Sequence, residues 1–236
     1  MSVLDRYNGG WIEDDQLIMF LRDLSNIEIG GNRIYDGQGT HFMQNPNEFM
    51  DLLHFLLLMK FKFKFRFDRF LEFGWSTGIS HTILTKVLKF TESVAVDLVV
   101  PSGINTGTFL ANLRFKNLTF IANDSKSEFT LNKLQLLAPF DFVFIDGGHD
   151  YLTARSDFEL ALKVVGEKGV IALHDIYAIA PCEVDKLWAE IKSEYCTYEF
   201  YDNRQTIKYG IGLVAIGVEN EFLQMNKESF RCKETI

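Results

Sequence analysis

Cysteine and proline are scarce in this 236-residue chain, which has three cysteines and four prolines. Cys182, Cys196 and Cys232 have the spacing of neither a zinc site nor a disulfide framework. This pattern predicts reduced thiols and a cytoplasmic location. Residues 1–15 contain no basic stretch followed by an apolar one, so we expect no secretory signal.

A long hydrophobic run and an excess of basic residues are also missing. The most apolar stretch, Phe49–Met59, is interrupted by Asp51 and His54 and falls well short of the roughly 20 residues that cross a bilayer. It predicts a helix packed on the domain and no membrane partner. The net charge is −8, with 32 acidic and 24 basic residues, which argues against a nucleic-acid partner.

The sequence has no internal repeat, low-complexity segment or linker-like stretch, so we predict a single domain spanning residues 1–236. Residues 1–65 are expected to form an N-terminal helical cap, with one helix at 13–24 and a second that opens at Pro46. The polar loop between them, Gly30–Asn45, is either a substrate loop or an ordinary surface loop. Residues 66–217 form the predicted core, and 218–236 form a C-terminal tail.

From Phe67 onward, short apolar runs alternate with helical segments, which is typical of βαβ units in a mostly parallel sheet. Tyr198–Tyr201 and Ile211–Ile216 are close enough for an antiparallel hairpin. We therefore predict an α/β fold with a Rossmann-like, seven-stranded, mostly parallel sheet, a terminal antiparallel hairpin and an N-terminal helical cap. The parallel strands are predicted at Arg69–Phe73, Ser93–Val96, Leu118–Ala122, Phe140–Ile145 and Gly169–Leu173. The helices are predicted at Ile79–Lys89, Gly107–Leu113, Ser127–Leu137, Thr153–Val165 and Cys182–Ser193.

A glycine loop follows the first of these strands, in the sequence E-F-G-W-S-T-G from Glu72 to Gly78. Gly74 lets the chain turn off the strand, and Gly78 lets the backbone approach a ligand at the start of a helix. The G-x-G-x-x-G spacing of dinucleotide sites is absent. The loop therefore argues against NAD and for another adenosine ligand.

Acidic residues stand at the ends of four predicted strands, at Glu72, Asp97, Asp124 and Asp146. Ligands of open α/β sheets bind outside the carboxyl ends of the strands, so these side chains are expected to converge on one crevice. Taken singly, each acid is also typical of a helix cap or a turn.

These motifs carry a resemblance to a known family. The glycine loop, Asp97, the run F-D-F-V-F-I-D-G-G-H-D-Y ending at Tyr151 and the run K-G-V-I-A-L-H-D-I over 168–176 resemble class I S-adenosylmethionine-dependent methyltransferases, over residues 66–217. Within that class, the segment 145–151, Asp157-Phe158, His174-Asp175 and the helix at 184–188 resemble the branch of cephalosporin-hydroxylase-like and macrolide-sugar O-methyltransferases. The resemblance implies an S-adenosyl-L-methionine cofactor and a hydroxyl of a sugar or glycan as methyl acceptor.

The resemblance also implies roles for individual residues. Gly74 and its neighbours would contact the methionine part of the cofactor, Asp97 the ribose, and Asp124 with Ser125 the surroundings of the adenine. The full set of expected cofactor-binding residues is Glu72, Gly74, Trp75, Ser76, Thr77, Gly78, Asp97, Asp124, Ser125 and Asp146.

His149 and Asp146 are the expected catalytic residues. The pKa of histidine lies near neutrality, so His149 is the preferred general base for taking the proton of the acceptor hydroxyl. The alternative is that His149 only hydrogen-bonds a loop.

Asp146, His174 and Asp175, with His149 nearby, also form a mixed carboxylate and imidazole cluster suited to a divalent metal ion. Metal-dependent relatives tend to carry carboxylates where this chain has Gly148 and His174. This departure leaves either a metal other than magnesium or base catalysis without a metal.

The acceptor site is expected to be built from the N-terminal segment together with the loops after the fourth and fifth strands. Its predicted contacts are Tyr35, Asp36, Gln38, His41 and Tyr151. Lys60–Phe67 alternates cations with phenylalanines, which predicts an extended segment that either contacts an anionic substrate or forms a solvated edge.

Two other functions compete with this interpretation. One is an O-methyltransferase for a non-sugar small-molecule hydroxyl, and the other is a cofactor-binding domain without turnover. The sequence predicts no particular oligomeric state.

Overall fold

The computed structural model describes residues 44–76, 78–98, 117–202 and 209–218. Within these ranges the chain forms five helices and seven strands. The helices are α1 (Pro46–Phe61), α2 (Ile79–Leu88), α3 (Glu128–Leu137), α4 (Tyr151–Val164) and α5 (Val184–Glu194). The strands are β1 (Arg69–Phe73), β2 (Glu92–Asp97), β3 (Leu118–Ala122), β4 (Phe140–Ile145), β5 (Val165–His174), β6 (Thr197–Phe200) and β7 (Ile211–Ile216). The helices predicted at 13–24 and 107–113 lie outside the described residues.

The seven strands form one sheet in the order β3-β2-β1-β4-β5-β7-β6. The first five strands in this order, β3, β2, β1, β4 and β5, pair in parallel, whereas β7 is antiparallel to both of its neighbours. The predicted Rossmann-like α/β fold with a terminal antiparallel hairpin is confirmed. The order reverses between β1 and β4, and the carboxyl ends of strands at such a point are where this architecture binds ligands.

Apolar side chains cover both faces of the sheet. Helices α1 and α2 pack on one face, and α4, α5 and one turn of α3 pack on the other. The central strands are therefore buried on both sides, which explains their continuous apolar sequences. On the first face, Phe70, Phe90 and Phe142 stack with ring centroids 4.8–6.3 Å apart, so part of the phenylalanine content fills this layer.

Helix α1 confirms the predicted helix after Asn45. The side chain of Asn45 caps it by accepting from the backbone N–H of Asn47 at 2.9 Å, and Pro46 occupies the first turn. None of the described helices combines the length and hydropathy that a membrane crossing requires.

The start of α1 is fastened to the carboxyl edge of the sheet. The buried carboxylate of Glu48 accepts from the backbone N–H of Asp202 at 3.0 Å and of Gly210 at 2.9 Å. Asp202 follows β6 and Gly210 precedes β7, so Glu48 holds α1 at the edge where β5 also ends.

The segment Lys60–Phe67 is not extended throughout, contrary to the prediction. Lys60 and Phe61 belong to the last turn of α1, and Lys64 has a φ of 57°. The Lys60 ammonium donates to the carbonyl of Leu88, and Phe67 is buried in the core. Phe63, Phe65 and Phe67 pack against the core, whereas Phe61 is 44% exposed. The cations Lys62, Lys64 and Arg66 are exposed.

Candidate active site

The glycine loop turns off β1 in a conformation that requires glycine at two positions. Gly74 has a φ of +89°, and a Cβ there would lie 2.0 Å from the carbonyl oxygen of Asp146. Gly78 has a φ of +73°, and its Cβ would lie 2.3 Å from the Trp75 indole. The loop is therefore pressed against the end of β4 and leads directly into α2. Thr77 lies outside the described residues.

Asp97, at the end of β2, is bonded to this loop. Its Oδ2 accepts from the backbone N–H of Trp75 at 2.8 Å and of Ser76 at 3.0 Å. The structure therefore brings the predicted ribose acid together with the predicted glycine loop. Ribose binding by Asp97 stays a prediction.

Glu72 and Trp75 lie within the core beneath the loop, 1% and 2% exposed. Oε2 of Glu72 is 2.8 Å from Nδ1 of His81, whose ring also contacts the indole of Trp75. Burial raises the pKa of Glu72 well above its ordinary value and lowers the pKa of His81 to about 3. Burial therefore favours the neutral form of both side chains. At these positions both residues support the loop, and direct cofactor contact by either stays a prediction.

Asp124 and Ser125 follow β3 on the same edge of the sheet. Oδ1 of Asp124 accepts from the backbone N–H of Lys126 at 2.9 Å, which is the turn geometry that the sequence leaves open. Ser125 hydrogen-bonds the carboxyl group of Asp157 in α4. Asp157 is 2% exposed, and its burial raises the pKa to about 6 although Ser125 opposes this. Asp157 also lies beside the backbone of Gly147, so it links the loops after β3 and β4.

Asp146, His149, His174 and Asp175 meet where β4 and β5 end. Nδ1 of His149 is 2.6 Å from Oδ2 of Asp175. Nδ1 of His174 lies 3.2 Å from Oδ1 of Asp146 and 3.2 Å from Oδ1 of Asp175. All four residues line a small pocket together with Gly147 and Gly148. The predicted catalytic and metal residues therefore share one site.

The electrostatics of this cluster couple its histidines to its acids. The hydrogen bond that His149 donates to the Asp175 carboxylate raises the pKa of His149, whereas burial lowers it. Burial alone would lower the pKa of His174, but Asp146 and Asp175 outweigh it and raise that pKa well above its ordinary value. Although burial acts against it, the two imidazoles hold the pKa of Asp175 well below its usual range.

Two sets of side chains in the described part of the chain have metal-ligating groups within 4.8 Å of one another. One is the predicted set Asp146, His174 and Asp175, and the other is His149, Asp175 and Cys182. The first set offers two carboxylate oxygens and one imidazole nitrogen. These donors fit a transition-metal ion better than magnesium, which prefers oxygen ligands.

The part of the chain that forms this site is similar to known proteins. The family model described as a methyltransferase domain matches residues 71–176, from β1 to just beyond β5. This part of the chain is similar to a methyltransferase domain. No curated protein matches the sequence at a significant level.

Several solved structures have a similar fold. The O-methyltransferase TomG from Streptomyces achromogenes, involved in tomaymycin synthesis and solved with S-adenosylmethionine, has a TM-score of 0.55 at 16% identity, covering 92% of this chain and 99% of that chain. The N-methyltransferase NodS from Bradyrhizobium japonicum, solved with S-adenosylhomocysteine, has a TM-score of 0.54 at 13% identity, covering 86% and 99%. An rRNA methylase from Streptococcus thermophilus has a TM-score of 0.51 at 13% identity, covering 64% and 87%.

These three proteins are named for different methyl acceptors, so the shared fold identifies no acceptor for this chain. The branch of sugar O-methyltransferases that the sequence resembles likewise stays a prediction.

Of the predicted acceptor residues, only Tyr151 is described. Its hydroxyl bonds Glu190 of α5 at 2.8 Å and is also bonded by Arg155, so it belongs to a network between α4 and α5. Tyr151 does not line the pocket formed by Asp146, His149, His174 and Asp175. The predicted contacts in the N-terminal loop, Tyr35, Asp36, Gln38 and His41, lie outside the described residues.

Gln44 is a site residue that the sequence did not single out. Its Nε2 donates to Oδ2 of Asp146 at 2.6 Å, and the side chain is 1% exposed. Among the described residues its Oε1 has no hydrogen-bond partner. Two sequence signals were available, its place among the polar groups of the candidate substrate loop Gly30–Asn45 and its position directly before the N-cap of α1.

Proposed function

We propose that the protein is an S-adenosylmethionine-dependent O-methyltransferase that acts on a hydroxyl of a sugar or glycan. The observation that carries the proposal is the juxtaposition of a glycine loop bonded to Asp97 with the His149–Asp175 pair across the same edge of the sheet. The first is a place for the cofactor and the second is a base. The match to a methyltransferase domain and the cofactor complexes of TomG and NodS support this assignment.

The cofactor would lie across the carboxyl ends of β1, β2 and β4. Gly78 is the N-cap of α2 and has no side chain that could cap the helix. The first turn of α2 can therefore face an adenosine ligand with an amino-acid tail. Asp97, already turned toward the loop, is the acceptor for ribose hydroxyls.

Methyl transfer forms a bond between the acceptor oxygen and the methyl carbon while the bond from that carbon to the sulfonium sulfur breaks. The acceptor hydroxyl must lose its proton, and His149 is placed to receive it. Nδ1–H donates to Asp175, which leaves Nε2 of the half-exposed ring as the proton acceptor. Asp175 thus orients the base and stabilises the imidazolium that forms.

Asp146 is assigned to the acceptor side of the reaction. Gln44 holds one of its oxygens and His174 faces the other, so its carboxylate is fixed at the edge of the pocket. The ring of Tyr209 stacks on His174 at 6.1 Å between centroids. An aromatic face beside fixed carboxylate and amide groups supports an acceptor with a ring and several hydroxyls.

A divalent ion held by Asp146, His174 and Asp175 would supply Lewis-acid polarisation of the acceptor oxygen. Its donor set favours manganese or zinc over magnesium. The roles of His149 and Asp175 described above do not require it. A cytoplasmic location likewise stays a prediction.

Methyl-labelled S-adenosylmethionine incubated with free sugars, glycans and phenols tests the proposal. We expect label on a sugar or glycan hydroxyl, and chelator treatment of the same reaction tests the ion. Label on phenols alone would favour the non-sugar alternative. Cofactor binding without transfer to any acceptor would favour a domain without turnover.

A further inference from the structure

Cys182 adds a thiol to the rim of the pocket, on the turn between β5 and α5. Its sulfur, a carboxylate oxygen of Asp175 and a ring nitrogen of His149 all lie within 4.8 Å of one another. None of the roles assigned above uses this thiol. We propose that His149, Asp175 and Cys182 form a binding site for a thiophilic divalent ion such as Zn²⁺, and that an ion bound there inhibits methyl transfer.

The geometry of Asp175 separates this site from the Asp146 cluster. Oδ2 of Asp175 faces His149 at 2.6 Å, whereas Oδ1 faces His174 at 3.2 Å. Each set of ligands therefore uses its own oxygen of the same carboxylate. The thiol of Cys182 belongs to the set that includes His149 and not to the set that includes Asp146.

Backbone hydrogen bonds hold the three side chains in register. The N–H of Glu183 donates to the carbonyl of His149 at 2.8 Å, which ties the loop after β4 to the turn that carries Cys182. The sulfur of Cys182 lies 3.9 Å from the carbonyl oxygen of Asp175. Tetrahedral zinc places its ligand atoms about 3.5 Å apart, so a modest rotation of the His149 ring closes the site. That ring is 53% exposed and has room to rotate.

The chemistry of the donors selects the ion. Thiolate, imidazole and carboxylate are the common zinc ligands, with water free to take the fourth position, whereas magnesium and calcium avoid sulfur. The thiol must release its proton to solvent when the metal–sulfur bond forms, so affinity rises with pH. An imidazole bound to the metal cannot accept the proton of an acceptor hydroxyl. This inhibitory consequence rests on the proposed function, whereas metal binding itself does not.

Titration of the intact protein with Co²⁺ tests the site directly, because a thiolate bound to Co²⁺ gives an intense near-ultraviolet charge-transfer band. We expect this band in the intact protein and in Cys196→Ser, and its loss in Cys182→Ser. Cys196 is the matched control, since it is also a partly buried cysteine but packs on the opposite core layer. His149→Ala should weaken Co²⁺ binding at least tenfold, which gives a second test should Cys182→Ser fail to fold. Absence of the band, or its persistence in folded Cys182→Ser, would overturn the site.

Inhibition is measured separately, as the Zn²⁺ concentration that halves methyl transfer relative to the metal-free rate of each variant. Cys182→Ser should require at least tenfold more Zn²⁺ than Cys196→Ser, and a chelator should restore the rate. Equal sensitivity of the two variants would overturn the inhibitory role. A protein that shows the Co²⁺ band and transfers no methyl group would leave the metal site intact and refute the proposed function instead.

Discussion

Asp97 accepts two backbone hydrogen bonds from the glycine loop, so the loss of its carboxylate should be felt in cofactor binding. We expect Asp97→Ala to bind S-adenosylhomocysteine at least tenfold more weakly, because a lost charged acceptor costs about 1.5–3 kcal/mol. Calorimetry measures the change.

Asp141 provides the matched control at the opposite edge of the sheet. It also accepts from two backbone N–H groups, those of Asp68 and Arg69, at 2.7 and 2.8 Å. Asp141→Ala should lower stability and leave the affinity of the folded protein for the cofactor unchanged. Equal affinity of Asp97→Ala and the intact protein would remove Asp97 from the site.

His149 should make turnover depend on pH. The neutral ring is the form that accepts a proton, and the Asp175 hydrogen bond raises the pKa, so the rate should rise with pH through a midpoint above the ordinary 6.5. Asp175→Asn should move this midpoint to lower pH. His149→Ala should retain cofactor affinity and lose about 10²-fold in rate. Single-turnover rates against pH measure this, and a flat profile between about pH 6 and 9 would rule out the base.

Asp157 should make stability depend on pH in the opposite sense from an acid whose pKa is lowered by folding. Its folded pKa of about 6 exceeds the ordinary 3.8, so its contribution is complete below the ordinary value and is lost as the pH rises through 6. Relative to the intact protein, Asp157→Asn should therefore be about 2–3 kcal/mol more favourable at pH 8 than at low pH. Urea unfolding at both pH values gives the difference. An identical effect at both pH values would show that folding does not shift the pKa of Asp157.

Among the elements, helix α1 connects the N-terminal part of the chain to the pocket. Glu48 accepts two backbone N–H groups at the sheet edge, and Gln44, four residues earlier, holds Asp146. Glu48→Ala leaves both buried N–H groups without their acceptor, so it should destabilise the fold by about 1–3 kcal/mol.

Activity distinguishes this anchoring from a purely structural role. Measured at a temperature where the variant is folded, Glu48→Ala should also lower the rate of methyl transfer, because Gln44 directly precedes the N-cap of α1. Exposed Glu190→Ala is the control for the loss of a glutamate. Destabilisation without any loss of rate would show that α1 does not position the site.

The elements best predicted from sequence were strands, whose apolar runs mark them clearly. β1, β3, β4 and β7 have the predicted bounds. β5 begins at Val165 instead of Gly169, because Val165 also pairs with Phe140 of β4, before a shift in the register of the two strands. α4 begins at Tyr151 because Asp150 caps it, a signal that the prediction did not use.

At the scale of the whole molecule, the architecture explains which site residues the sequence could predict. Residues at strand ends converge on one edge by topology alone, so Asp97, Asp146, His149 and Asp175 could be placed together without coordinates. Gln44 could not, because its contact with Asp146 joins residues far apart in the chain and follows no periodic pattern.

Cys182 and Tyr151 illustrate the same limit. Local spacing rules recognise ligands that lie near one another in sequence, whereas Cys182 meets His149 only through the turn after β5. Tyr151 follows the expected motif, but helical geometry directs its hydroxyl to Glu190 of α5.

The edge of the sheet at β1, β2 and β4 is the expected binding site of an S-adenosyl cofactor. Calorimetric titration of the intact protein with S-adenosylhomocysteine, and with NAD in a parallel experiment, tests it most directly. We expect saturable binding of S-adenosylhomocysteine at one site per chain and no binding of NAD. The loop has two glycines, followed by Asp97 at the next strand end, and lacks the glycine spacing of dinucleotide sites. Binding of NAD, or no binding of S-adenosylhomocysteine by the folded protein, would contradict it.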